Sequence, residues 1–210
     1  MGKIIIALKD LSVVSLIIAN IFTLYIAIYQ GWSLYVLMLV YVSQSVIMGL
    51  FNFIRILSLK EFDTDGFKIG NKQPAANSSF TKYYTAFFFL FHYGLFHLAY
   101  FVFTFGFIKT EAVKVDYKYV IITIVIFFIN HAFSYFYNIN DKKKYNIGQL
   151  MFYLYPRIVP MHLIIIFGTV IGFLGLPVFV FLKTGADVVM HFVEHGIFGQ
   201  KKIEINQTNI

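Results

Sequence analysis

Long runs of apolar residues, separated by short polar links, are the dominant pattern of the chain. Each run is close to the roughly 20 residues that a helix needs to cross a bilayer. The runs cover about residues 11–29, 34–59, 84–107, 119–137, 150–173 and 178–197. This pattern predicts an all-α fold, a polytopic membrane protein with a bundle of six transmembrane helices in a single domain over residues 1–210.

The links between the runs differ in length and chemistry. Residues 30–33 and 172–177 are short enough for tight turns, which makes the helices that they join antiparallel neighbours. Residues 60–82 are polar and rich in Gly, Asn, Asp and Ser, which predicts a cytoplasmic loop. Because this loop lacks hydrophobic periodicity, we expect it to tolerate shortening between Gly66 and Ser79.

The composition agrees with a membrane protein. The chain is 59% hydrophobic and only 13% charged, so it has too few polar groups to cover a globular surface of its size. It has no cysteine, which excludes disulfides and thiolate metal ligands. The apolar run after Asp10 is long and lacks a small-residue cleavage pattern, which favours a retained first helix over a signal peptide.

The distribution of Lys and Arg predicts the orientation in the membrane. Most of them lie in the two termini and in the links around residues 55–82 and 139–149. Lys109, Lys114 and Lys118 lie on the opposite side. The positive-inside rule then places both termini in the cytoplasm. The net charge of +7 is dispersed over loops rather than collected on one element, so we expect contact with lipid headgroups and no nucleic-acid partner.

A polar stripe runs along the last apolar segment. Lys183, Asp187, His191 and His195 recur every four residues, and Glu194 lies beside them. In a helix this spacing forms one slowly drifting stripe. Each ionisable group in a bilayer costs several kcal/mol unless it faces partners or a water-filled cavity. The stripe therefore predicts a polar interior to which the other helices contribute.

The polar residues of the other helices converge on the same depth. With 1.5 Å of rise per residue, they lie in the cytoplasmic half of the predicted bundle. The residues concerned are Gln44, Ser45, Asn52, Arg55, His92, His97, Asn130, His131, Ser134, Asn138, Arg157 and His162.

The histidines of the stripe have the spacing of a metal site. His191 and His195 lie four residues apart, as in zinc-binding HxxxH pairs. His92 or His131 is the candidate third ligand, and Asp187 is a further ligand or a partner of one. Zinc needs three protein ligands and an open position to activate water, and this set supplies them. Imidazole and carboxylate ligands suit iron and copper as well.

Each of these residues also has a structural interpretation. Lys183 and Asp187 form an intrahelical ion pair in the simplest case. Asn52 and Arg55 share the inner face of the second helix, and both are candidate substrate-binding residues. Arg55 either reaches the lipid interface or contacts a headgroup or a substrate phosphate. Arg157 satisfies carbonyls freed by the neighbouring prolines or binds an anionic substrate.

The remaining imidazoles and the aromatic excess predict packing. His97 lies about 140° around the helix from His92, so we expect one site not to use both. We interpret His97 and His162 as hydrogen-bonded helix-packing groups. The tyrosines and phenylalanines are typical of lipid contact and of an interfacial belt.

Five blocks of sequence carry a family resemblance across nearly the whole chain. They are VSQSVIMGLFNFIR, FHYGLFHLAYFVF, NHAFSYFYN, PRIVPMHLIIIFG and LKTGADVVMHFVEH. The series resembles a prokaryotic integral-membrane family of unknown function, domain-of-unknown-function family 6498, which implies a place in a prokaryotic cell membrane. An acidic residue stands in the family where this chain has Gln44. The resemblance implies recurring positions at Asn52, Arg55, His92, Tyr93, Gly94, His131, Arg157, His162, Lys183, Asp187, His191, Glu194 and His195.

A looser likeness concerns membrane zinc hydrolases of the alkaline ceramidase and adiponectin-receptor type. They also carry an HxxxH pair on the last helix and a histidine on an early one. They have seven spans where this chain shows six apolar runs, so the likeness is one of site and not of descent.

Three functional hypotheses follow. The first is a zinc hydrolase acting on a lipid or a membrane-embedded substrate, with Asp187 or Glu194 as the base. The second is a haem or metal electron carrier that uses histidines on facing helices. The third is a transporter or a non-catalytic subunit whose Lys–Asp–His stripe relays protons or ions. Whether the chain is an enzyme, and its oligomeric state, stay open.

Overall fold

The structure, a computed structural model, describes residues 11–110, 115–138, 145–163, 181–186 and 189–190. The named elements in chain order are α1 Leu11–Tyr29, α2 Leu34–Ser58, β1 Phe62–Asp63, α3 Ser79–Thr110, α4 Tyr117–Asn138, β2 Tyr145–Asn146, α5 Ile147–Phe152 and a 3₁₀ helix Tyr155–Ile158. Residues 159–163, 181–186 and 189–190 are also helical.

The prediction of a helical fold is confirmed, because the described chain is mostly helical. Among the described residues, three helices are long and apolar enough to cross a membrane: α2, residues Ser79–Gly106 of α3 and residues Tyr117–Phe136 of α4. A shorter apolar stretch, Ile17–Tyr29, lies in α1. Most of the predicted sixth segment and the second half of the fifth lie outside the described residues.

The predicted fifth segment does not begin as one continuous helix. α5 ends at Phe152, a turn follows, and the chain resumes as the 3₁₀ helix Tyr155–Ile158. Pro156 stands in the first turn of that 3₁₀ helix, where its missing N–H removes no bond that the helix needs. The same missing N–H cannot extend the hydrogen-bond ladder of α5, which explains the break.

α2 is the central helix of the described bundle. Of its membrane-length window, 67% is buried, against 28% for α3 and 22% for α4. α2 packs against both α3 and α4, and α1 packs against α4. A tight turn with Gly31 at a φ of 60° leads into α2, whose first turn is capped by the Ser33 hydroxyl. Residues on the inner faces of α2 therefore meet two different neighbours.

Aromatic and hydroxyl contacts fix the direction of α3 relative to α2. Ser45 contacts Tyr93, whereas Phe53, two turns later on α2, contacts Phe87. In these contacts the residue numbers rise along α2 while they fall along α3, so the two helices are antiparallel.

α4 has the opposite relation to α2. Tyr41 packs against Phe127 and Phe51 packs against Tyr135, so numbers rise together along the two helices. α2 and α4 are therefore parallel.

The predicted loop at residues 60–82 is anchored to the segment before α5. β1 pairs in parallel with β2, and the Asn146 side-chain amide donates to Asp63 Oδ1 at 2.6 Å. Phe67 lies against Gly148, where an added Cβ would come within 2.9 Å of the Phe67 ring. Phe67 takes part in these contacts, so the predicted tolerance to shortening between Gly66 and Ser79, which stays a prediction, is best tested with a deletion that keeps Phe67.

Candidate functional site

An array of histidine and tyrosine rings fills the space between α3 and the segment after α5. On α3 its members form two adjacent rows at spacings of four residues, and the two rows together make one broad face. The array consists of His92, Tyr93, Phe96, His97 and Tyr100 of α3 together with Tyr155 and His162.

Two hydrogen-bonded phenol–imidazole pairs close the array. His92 Nδ1 lies 2.7 Å from the Tyr155 hydroxyl, and His162 Nδ1 lies 2.6 Å from the Tyr100 hydroxyl. In each pair α3 supplies one partner and residues 155–162 supply the other. Either group of a pair donates or accepts according to the tautomer of the imidazole, so the proton of the bond has two alternative positions.

Tyr93 connects the array to α2. Its hydroxyl lies 2.6 Å from the Ser45 hydroxyl and also donates to the Ser45 carbonyl at 3.2 Å. The ring lies against Gly49, where an added Cβ would be 2.6 Å from Tyr93 Cε1. Glycine at position 49 therefore gives the ring the room that this hydrogen bond requires.

His97 is the most buried imidazole among the described residues, with 2% of its surface exposed. Its Nδ1–H donates to the Tyr93 carbonyl at 2.7 Å, and its ring stacks on Tyr93 with centroids 4.2 Å apart. With Nδ1 protonated, Nε2 carries a lone pair, and it has no hydrogen-bond partner in the part of the chain that the structure describes. His97 thus offers a buried, fixed acceptor inside the array.

His92 and His97 belong to the same array, which the sequence analysis did not expect. Tyr93 and Tyr155 bridge them, with ring centroids 5.8 Å apart. The two imidazoles point about 140° apart around α3, and the aromatic rings fill the space between them. His92 and His97 therefore belong to one cluster although they cannot easily bind the same ligand.

Two buried cations lie against α2 on the same face. Lys183 is fully buried, and its Nζ lies 5.2 Å from the centroid of the Tyr41 ring, within range of a cation–π contact. Arg157 is 4% exposed and donates from its guanidinium to Met48 Sδ at 2.9 Å. Both cations approach α2 from the C-terminal part of the chain.

Of the predicted substrate-binding residues, Asn52 has a structural contact. Its side-chain amide donates to the Leu150 carbonyl at 2.8 Å. Leu150 lies in the last turn of α5, where carbonyls have no partner within the helix. Asn52 therefore holds α5 to α2. Arg55 lies almost one turn further along α2 and is partly buried.

His131 approaches α2 from α4. It is partly buried and lies four residues from both Phe127 and Tyr135, which contact α2. His131 therefore faces α2 from the α4 side, whereas His92 belongs to the array on the α3 side.

The predicted metal set is only partly described. Among the described residues, no group of three or more His, Asp or Glu side chains could hold a metal ion. Asp187, His191, Glu194 and His195 lie outside the described residues, so the set that they form with His92 or His131 stays a prediction.

The tyrosines of the site were missed by sequence reasoning, which assigned them to lipid contact and the interfacial belt. Tyr93 and Tyr100 are 3% and 4% exposed, and both have hydrogen-bonded hydroxyls. The signal that could have found them is their position among the histidines of α3, because His92, Tyr93, His97 and Tyr100 repeat at helical spacing.

Together, the fold and the site define a class: a mostly helical protein with long apolar helices and a partly buried array of imidazoles and phenols between them. The chain belongs to the Family of unknown function (DUF6498), whose family model matches residues 6–204. This match confirms the resemblance predicted from the five sequence blocks. No curated protein and no solved structure matches the chain.

Proposed function

We propose that the chain is an integral protein of a prokaryotic cell membrane, with a bundle of six spans and both termini in the cytoplasm. The support is the apolar outer surface of the long helices, where Phe91, Val102 and Phe136 are 74%, 68% and 65% exposed. Apolar patches of this kind mark contact with lipid or with another protein.

The orientation has a direct test. Cysteines introduced singly at Gln73 and Glu111 should react with a membrane-impermeant thiol reagent from opposite sides of the membrane, because the positive-inside rule places them so. The chain has no native cysteine to interfere. Labelling of both from one side would contradict the proposed topology.

Of the three functions that the sequence leaves open, we propose the third, a proton relay within a transporter or a non-catalytic subunit. The observation that carries it is the presence of two hydrogen-bonded phenol–imidazole pairs in one partly buried array, His92–Tyr155 and Tyr100–His162. Imidazole and phenol both donate and accept hydrogen bonds, so a proton entering at one group is passed on as another leaves. Neutral pairs also avoid the cost of burying a fixed charge.

The array is long enough to carry a proton across part of the membrane thickness. From His92 to Tyr100 it extends over roughly 12 Å of helix, against a hydrocarbon core of about 30 Å. Neighbouring rings along it lie close together, with centroids between 4.2 Å and 5.8 Å apart for the contacts through Tyr155, Tyr93 and His97. Bound water or the polar stripe that begins at Lys183 would supply the rest of the path.

Proton movement is measured in proteoliposomes. A potassium gradient with valinomycin supplies the driving voltage, and a pH-sensitive dye reports flux. We expect the native protein to conduct protons above the protein-free level. We expect Tyr155→Phe, which removes the hydroxyl bonded to His92, to lower the rate at least ~10-fold, in the range that positioned proton-transfer groups contribute.

Tyr84→Phe is the matched control. Tyr84 is on α3, as is His92, but it is 42% exposed and stacks on Phe88, so losing its hydroxyl should leave the flux unchanged. Native flux no higher than in protein-free vesicles, or equal losses in both variants, would contradict the relay.

A metal-dependent hydrolase acting on a lipid or membrane-embedded substrate is a second candidate. When His92 Nδ1–H donates to the Tyr155 hydroxyl, Nε2 keeps its lone pair for a metal ion, which is how ligating histidines are usually held. His191 and His195 would complete the ligand set, zinc being the first choice and iron, copper or haem the others.

Metal analysis of protein purified without chelator tests this candidate. Stoichiometric metal in the native protein should be lost in His191→Ala and kept in His97→Ala. No metal in the native protein, or equal amounts in native and His191→Ala, would exclude the metal site and leave the relay.

A further inference from the structure

The side chain of Gln44 is fully buried in α2 without a partner among the described residues. Neither its amide nitrogen nor its amide oxygen has a hydrogen bond there. Buried amide groups in folded proteins are almost always hydrogen-bonded, and each exception needs an explanation. An amide with two unsatisfied atoms at the centre of an apolar bundle points to a ligand that offers both an acceptor and a donor.

The surroundings of Gln44 along α2 are cationic. Tyr41, Gln44 and Met48 lie at spacings of three and four residues and so share one face of the helix. Tyr41 carries the Lys183 ammonium over its ring, and Met48 Sδ accepts from the Arg157 guanidinium. Along α2, Gln44 therefore lies between the levels at which the two buried cations make contact, roughly 4.5 Å from one and 6 Å from the other.

His131 adds a third nitrogen group at this level. It lies on α4 between Phe127, which contacts Tyr41, and Tyr135, which contacts Phe51. α2 and α4 are parallel, so the His131 imidazole faces α2 between the levels of Tyr41 and Phe51, which is where Gln44 lies.

We propose that Gln44, Lys183 and Arg157 form a binding site for a phosphate group that keeps one proton. A guanidinium has five N–H donors and an ammonium has three, so each can bind an anion's oxygen in addition to the contacts that it already makes. The amide nitrogen of Gln44 supplies a further donor. Its amide oxygen accepts the remaining P–O–H, which a carboxylate or a chloride ion does not have.

The hydrogen-bond donors around Gln44 suit an anion better than a cation. Among the described residues, the buried charged side chains that contact α2 are Lys183 and Arg157. The buried carboxylate of the described chain, Asp63, belongs to the loop that pairs with Asn146. The phosphate comes either from solution, as inorganic phosphate, or from a lipid with a phosphate monoester headgroup, such as phosphatidic acid.

This site adjoins the proposed proton relay but does not use its phenol–imidazole pairs. The relay consists of the pairs between α3 and residues 155–162, whereas the phosphate site lies on the face of α2 around Gln44, which Arg157 and Lys183 approach. Binding is measured without any proton gradient, so failure of one proposal leaves the other standing.

The experiment uses the full chain in two arms. Isothermal titration with inorganic phosphate tests the soluble source in detergent. Native mass spectrometry of protein from nanodiscs of phosphatidylcholine with and without phosphatidic acid tests the lipid source. We expect one phosphate-bearing ligand per chain in one of the two arms, and that arm identifies the source.

Two variants of Gln44 make the test specific. Gln44→Glu keeps the shape but places a carboxylate against the phosphate, and Gln44→Leu removes both hydrogen-bonding atoms. We expect each to weaken binding at least ~10-fold, the loss that follows when a buried charge-assisted contact is removed. If the first does not fold, the second keeps the test decisive. Gln149→Leu, at an exposed glutamine of α5, is the matched control and should bind as the native chain does. Binding in neither arm, or binding unchanged in the Gln44 variants, would overturn the proposal.

Discussion

Two polar regions of the molecule treat their buried hydrogen-bonding groups in opposite ways. In the loop assembly, formed by residues 60–82 with residues 145–148, the polar side chains pair with one another and with the backbone. In the bundle interior around α2 and α3, Gln44, Asn52 and His97 each keep a buried atom without a hydrogen-bond partner among the described residues. Satisfied groups stabilise a fold, whereas unsatisfied ones cost stability and are kept for another reason.

Two amide side chains show the difference most clearly. Asn146 donates to Asp63 and to the Asp65 carbonyl, and its own oxygen accepts from the Gln149 N–H at the start of α5. Gln44 makes none of these bonds within the described chain and is more deeply buried. The first amide is a structural link, and the second is a candidate ligand-binding group.

The largest loss of stability should come from Asn146→Ala. The substitution removes the cap of α5 and leaves the largely buried Asp63 without that donor, which together should lower the free energy of unfolding by about 3 kcal/mol. An SDS titration in mixed micelles measures this. Asn71→Ala, at an exposed asparagine of the same loop, is the control and should have no effect. Equal results for the two variants would mean that the loop assembly does not stabilise the bundle.

A smaller loss should follow from Gly49→Ala. Its methyl group would lie 2.6 Å from the Tyr93 ring and would push the phenol away from Ser45, at a cost of about 2 kcal/mol. Gly94→Ala is the matched control, because an added Cβ there meets nothing within 4 Å and alanine favours the helix. A stability of Gly49→Ala equal to that of Gly94→Ala would show that Tyr93 does not depend on this close approach.

The smallest effect should be that of Gln44→Leu. Replacing an amide that lacks protein partners by an apolar group of similar size should change the free energy of unfolding by less than about 1 kcal/mol, with a gain as the expected sign. Ligand-free protein is used, so that bound phosphate does not add stability of its own. A loss comparable to that of Asn146→Ala would place Gln44 among the structural amides.

The sequence was sufficient to predict the long helices because their apolar runs are longer than any core element of a soluble domain needs. The bounds of α1 and α2 agree with the predicted runs to within one residue. The prediction was less accurate for α3, which extends beyond the apolar run at both ends, from Ser79 to Thr110. Polar residues at a helix end carry no hydrophobic signal, so hydropathy underestimates such a helix.

The site was harder to predict because it depends on contacts far apart in the chain. Helical spacing placed His97 away from His92 on α3, and that angle is correct, but Tyr155 arrives from another segment and bridges them. The anchor of the loop carries no local signal either, because the pairing of Asp63 with Asn146 joins residues 83 apart in sequence. The periodicity of polar and apolar residues shows which side chains share a face of one helix. It does not show which other segment packs against that face.

The central claim is that the phenol–imidazole pairs between α3 and residues 155–162 serve proton transfer and not stability. Tyr100→Phe tests it most directly when unfolding and proton flux are measured on the same preparation. This variant removes the hydroxyl bonded to His162 but keeps the ring. We predict that flux falls at least ~10-fold, while the free energy of unfolding changes by no more than about 1.5 kcal/mol, the value of one hydrogen bond. An unchanged flux per folded molecule in a clearly destabilised protein would contradict the account.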